Sequence, residues 1–189
     1  NEIFNVYNNG AGVLATYRDT SLGAQRVQMA FGQDLMKGRN APSSGPGSHK
    51  LVFYFDPETQ ARTADMISLV GGLNPNQQSA LWYITGSGVV TNTVPEGQNL
   101  YDVLGATSIA NPLSDSDGLR WDTYETQVPV PAGAEWIMIQ LESIPSDPLN
   151  PETAPRLEWI AQRFALPREC PDLGAQPVVD WNTNGVYNP

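Results

Sequence analysis

The sequence predicts an all-β chain, folded as an antiparallel β-sandwich with at most one or two short helices. Charged residues make up only 16% of the 189 positions, against about 25% in ordinary soluble chains. The chain carries 17 glycines and 16 prolines, which punctuate it into short segments. Within those segments apolar and polar residues alternate with a period of two, the signature of strands with one buried face.

The expected strands run in order as follows. Residues 13–18 form the first. Residues 26–31 form the second, with Val27, Met29 and Phe31 as an apolar core face and Arg26 and Gln28 opposite. A Gly/Pro/Ser cluster over 38–48 separates it from 50–55, where Leu51, Phe53 and Phe55 face one way and Val52 and Tyr54 the other. Residues 56–70 read as a short helix, because Asp56-Pro57-Glu58 resembles an N-cap followed by proline and Gly71-Gly72 would stop it. The alternative is a strand over 63–70. Turn residues over 71–76 lead to a strand at 80–85, and those over 93–98 and 111–118 precede one at 121–130. The alternation is sharpest over 135–142: Ile137, Ile139 and Leu141 share one face, with Trp136, Met138, Gln140 and Glu142 on the other. A last strand covers 156–164. Residues 1–164 thus form the sandwich, and 165–189 a linker and extended tail.

Twenty acids against ten bases give a net charge of −10, so the overall field repels a phosphate backbone and nucleic acid is an unsuitable partner. No apolar run approaches the roughly 18 residues of a membrane-spanning helix. The single Cys170 cannot close an internal disulfide, and the single His49 cannot supply a histidine-rich zinc site. A start at Asn1, few lysines, many Asn, Thr and Ser, and an acidic surface lead to the expectation of a mature secreted or extracellular product.

The stretch Arg120-Trp121-Asp122-Thr123-Tyr124, the turn Val130-Pro131-Ala132-Gly133 and the alternating run to Leu141 resemble the late strands of galactose-binding-like jelly-roll domains. That is the fold of many carbohydrate-binding modules. The resemblance implies a jelly roll and a polysaccharide or glycan partner. A sugar ring stacks its C–H face on an aromatic side chain and needs planar amide, carboxylate or guanidinium partners for its hydroxyls. Trp136 beside Gln140 and Glu142 offers both kinds of group, and Arg26, Gln28 and Tyr54 join them if their strands are neighbours. Trp82, Trp121 and Tyr124 are further candidate platforms, the last two with opposite parity in one strand. The alternative for any of these rings is packing under a loop or at a sheet edge.

Near the end, Asp180-Trp181-Asn182-Thr183-Asn184-Gly185 places oxygen ligands at positions 1, 3 and 5 and glycine at 6, as in the first half of an EF-hand loop. With Cys170-Pro171-Asp172 before it, this segment resembles the opening of a dockerin type I repeat. The resemblance implies structural Ca2+ held by Asp180, Asn182 and Asn184, although the acid at position 12 lies beyond Pro189. Asp115 and Asp117, ahead of Gly118, form a second calcium candidate or an ordinary hairpin turn.

No Gly-x-Ser-x-Gly elbow, phosphate loop or dinucleotide fingerprint is present, and twenty acids are too many for one catalytic pair to stand out. The sequence therefore favours a non-catalytic carbohydrate-binding module of a secreted or surface bacterial protein. Its alternatives are a structural subunit of an extracellular filament or cell-surface layer, bound to other protein subunits, and a small glycan-active enzyme.

Overall fold

The structure, a computed structural model, describes residues 13, 15, 21, 23–36, 47–74, 77–113, 120–147, 149–150 and 153–168. Eight strands follow one another: β1 (Gln25–Met36), β2 (Leu51–Tyr54), β3 (Arg62–Gly71), β4 (Ser79–Gly86), β5 (Thr107–Ala110), β6 (Trp121–Val130), β7 (Trp136–Ser143) and β8 (Leu157–Pro167). They form two four-stranded sheets, ordered β1-β8-β3-β6 (sheet A) and β2-β7-β4-β5 (sheet B). Every neighbouring pair is antiparallel.

The pairing follows one rule. β1 pairs with β8, β2 with β7, β3 with β6 and β4 with β5. The described strands thus form one long hairpin with its tip at β4 and β5, rolled so that its arms alternate between sheets. Pairs β3–β8 and β4–β7 close the roll. This is the strand arrangement of a jelly roll, and the expected all-β sandwich is what the chain forms.

The inner faces of the sheets build the main core. Phe164 of β8 stacks on Phe53 and Phe55, with ring centroids 5.4 and 5.6 Å apart. Met66, Val70, Val128 and Val130 meet Leu81, Ile137, Ile139 and Leu141 across the sandwich. One buried polar pair interrupts this apolar layer: the Ser68 hydroxyl donates to Gln162 Oε1 at 2.6 Å, so neither group loses its hydrogen bond on burial.

Two segments differ from expectation. Residues 62–71 form β3, the alternative strand over 63–70, and not the helix. Ala64, Met66, Ser68 and Val70 are buried, while Asp65, Ile67 and Leu69 are partly open. That is period two, in a segment whose β-branched residues suit a pleated surface. Asp56 begins a loop instead, and its carbonyl accepts a hydrogen bond from Arg62 Nη2 at 2.9 Å. In β1 the faces are exchanged: Val27, Met29 and Phe31 point out, and Arg26 and Gln28 point in. The ladder sets Arg26 opposite Leu166 and Gln28 opposite Phe164, both core residues. Because β1 is an edge strand, these polar side chains reach the seam with β2, where Gln28 Nε2 donates to the Tyr54 carbonyl at 2.9 Å and Arg26 meets Asp56 at 3.4 Å.

β8 continues through Pro167, so residues 165–167 belong to the sandwich rather than the tail. Most of the expected strand over 13–18 lies outside the described residues, as do Cys170 and all five calcium candidates: Asp115, Asp117, Asp180, Asn182 and Asn184. Among the described residues no helix is long and apolar enough to cross a membrane.

Candidate functional site

The face expected to meet a sugar is closed by the chain itself. Trp136 and Gln140 do lie opposite the main core on β7, as the alternation requires, but the segment between β4 and β5 folds over them. Its Val94 and Leu100 join Trp136, Ile84 and Met138 in a second buried cluster. Trp136 is fully buried, and its indole Nε1 donates to the Gly88 carbonyl at 3.1 Å. The ring lies across Gly86, where a Cβ would stand 2.2 Å from it. Gln140 has all of its amide functions engaged. Its Oε1 accepts from the Leu100 N–H at 2.6 Å, and its Nε2 donates to the Ser48 carbonyl at 2.7 Å and to Asn99 Oδ1 at 2.8 Å. Neither residue can stack on or bond to a ligand without unfolding that segment, which corrects the expectation for both.

Glu142 and Trp82 remain partly open beside this plug, joined by a hydrogen bond from Trp82 Nε1 to Glu142 Oε2 at 2.7 Å. Burial pushes the Glu142 carboxyl above its ordinary range, the Trp82 hydrogen bond opposes that, and Asp102 adds to the rise. Tyr101 is also pushed up, first by burial and then by the charges of Asp102 and Glu142. Tyr54 stands directly opposite Trp136 in the ladder and is exposed. Trp121 is buried at the far edge of sheet A, with its Nε1 donating to Thr123 Oγ1 at 3.2 Å, and Tyr124 packs against the main core. The predicted set is therefore divided: Trp82, Glu142 and Tyr54 on sheet B, Arg26 and Gln28 at the β1–β2 seam, and Trp121 and Tyr124 on β6.

The surface that stands open is elsewhere. On the outer face of β1, Phe31 is 84% exposed, Val27 43%, Met29 41% and Leu35 40%. The ladder continues these side chains across sheet A: Phe31 faces Ala161, which faces Leu69, and Met29 faces Arg163, which faces Ile67. β1 has β8 as its one strand neighbour among the described residues. This twelve-residue edge strand carries four exposed apolar side chains and neither lysine nor proline, and its edge is interrupted by the inward Arg26 and by the irregularity after Phe31.

At Gly32 and Gln33 the β1–β8 register shifts. A cavity of about 210 Å³ opens there, lined by Phe31, Gln33, Asp34, His49, Leu51 and Trp159 among others. Asp34 Oδ1 lies 3.1 Å from His49 Nδ1, and Asp34 Oδ2 accepts the His49 backbone N–H at 2.6 Å. Sequence reasoning missed Phe31 and Met29 as surface groups, because it assigned the more apolar face of β1 to the core. The absence of lysine and proline along the strand was the one available signal of an edge left open for pairing.

No family model matches this chain, and no curated protein matches it. Among solved structures the chain is similar to dimeric latent PorU from Porphyromonas gingivalis, with a TM-score of 0.36 and 7% identity. The match covers 85% of this chain and 14% of that one.

Proposed function

We propose that the chain is a structural, non-catalytic subunit of an assembly outside the cell, held by protein contacts between copies through the outer face of β1. The observation that carries this reading is the row Val27, Met29, Phe31 and Leu35 on an edge strand with no second strand neighbour among the described residues. Contiguous exposed apolar surface costs free energy in water and marks interaction sites. Light scattering of the purified chain tests it. The expected result is a mass above one chain that falls to one chain in Phe31→Lys, and a single-chain mass for the parent protein at all concentrations would refute it.

A second reading, a carbohydrate-binding module of jelly-roll type, is favoured by the same Phe31. Its open ring adjoins the cavity where the Asp34 carboxylate, the His49 imidazole and Gln33 offer partners for sugar hydroxyls. The cavity is smaller than the roughly 300 Å³ at which ligand pockets usually begin, which ranks this reading second. Affinity-gel retardation by polysaccharide, lost in Phe31→Ala and Asp34→Ala, supports it, and no retardation on any polysaccharide excludes it.

A further inference from the structure

We infer that the break in sheet A at Gly32 and Gln33 is a binding site for a single neutral sugar residue, with the indole N–H of Trp159 as its donor to a ring hydroxyl. This rests on the carbohydrate-binding reading and adds the donor, the size and the charge of the ligand.

Two irregularities coincide at this level of the sheet. In the β1–β8 ladder the register passes from Phe31 opposite Ala161 to Asp34 opposite Trp159, which leaves Gly32 and Gln33 against Ile160. In the β3–β8 ladder it passes from Leu69 opposite Ala161 to Val70 opposite Trp159, so Ile160 has no counterpart there. Bulges interrupt pairing, re-aim side chains and recur beside active sites. The cavity of about 210 Å³ opens at the same level, with Trp159 in its wall.

That wall contains an unmet donor. Trp159 is 4% exposed, and its Nε1 is buried with no hydrogen-bond partner among the described residues. A buried N–H left unpaired loses its hydration without return, and an acceptor atom in the cavity recovers it. Asp34 stands opposite Trp159 in the ladder, so the two side chains share a face. Each Asp34 oxygen already meets one nitrogen of His49 and keeps a second acceptor position. A hydroxyl accepts and donates at once, so vicinal hydroxyls of one ring suit the indole N–H and the carboxylate together. Phe31 and Leu51 offer apolar surface to the C–H face of that ring. The volume lies below the roughly 300 Å³ at which ligand pockets usually begin, which fits one ring and not an oligosaccharide. The Asp34 charge, in a chain of net charge −10, disfavours an acidic sugar.

Titration with methyl hexopyranosides and with the matching methyl hexuronides, followed by NMR of the indole N–H resonances, tests the site. The Trp159 signal is the one missing from Trp159→Phe. It is expected to move with a neutral glycoside and with no hexuronide. Trp159→Phe is expected to weaken binding of that glycoside about three- to tenfold, the worth of one hydrogen bond. Should that variant not fold, Phe31→Ala, at an exposed position, is expected to weaken it similarly. If polysaccharide retards the chain on an affinity gel but no glycoside moves the Trp159 signal, the carbohydrate reading stands and this site is wrong. A hexuronide that moves the signal as far as the neutral glycoside also overturns the site as described. If no polysaccharide retards the chain and no glycoside moves the signal, both are wrong.

Discussion

Gly86 and Trp136 show at the scale of one residue why a strand side chain expected at the surface became core. Glycine at 86 leaves room for the indole to lie across β4, and a Cβ there would meet the ring at 2.2 Å. Gly86→Ala is expected to destabilise the fold by about 1–3 kcal/mol through overpacking, read as a lower denaturant midpoint. An unchanged midpoint would show that the ring is not held as described. Glu142 bears on stability through its proton instead. Its carboxyl is pushed up chiefly by burial, so the native state holds that proton more tightly than the unfolded chain does. Stability from this group is then present below the ordinary carboxylate pKa and is lost as pH rises through the elevated native value. Glu142→Gln is expected to reduce the fall in stability across that window, measured as melting temperature against pH for both proteins. Parallel curves would contradict the assignment.

At the scale of elements, alternation was legible wherever a strand lies between two others or faces the core on one side. In β7 the parity of Ile137, Ile139 and Leu141 against Trp136, Met138 and Gln140 is as the sequence implies. What alternation does not encode is whether the second face is wet. Here the residues between β4 and β5 cover it with Val94 and Leu100, and the apolar residues scattered in that stretch were the available signal. β5, four residues long with none buried, has no pattern to detect. In β3 a local cap signal pointed to helix, and long-range pairing with both β6 and β8 prevailed. In β1 the apolar face points to water, since its inner side meets the seam with β2. If that face contributes to association and not to folding, Met29→Lys is expected to leave monomer stability within about 0.5 kcal/mol of the parent, as for other surface substitutions. A large loss in equilibrium unfolding would return Met29 to the core.

The described residues form a rolled hairpin whose two arms meet at 24–25 and 167–168: Gln25 pairs with Pro167, and the Arg168 N–H donates to the Ala24 carbonyl at 2.9 Å. This topology places β1, the first described strand, at the edge of sheet A and β8, the last, directly beside it. The fold class follows from composition and period, whereas the identity of the open edge depends on which distant strands pair, and no local pattern carries that information. The role proposed above turns on β1 as a contact surface. The most direct test is sedimentation velocity of the chain from about 1 µM to about 500 µM, a span that covers weak dimer constants, at physiological and raised salt. The expected result is reversible passage from one 20.6 kDa chain to two, strengthened by salt as the −10 charge of each copy is screened, and absent in Phe31→Lys. A single species of one chain at every concentration would contradict it.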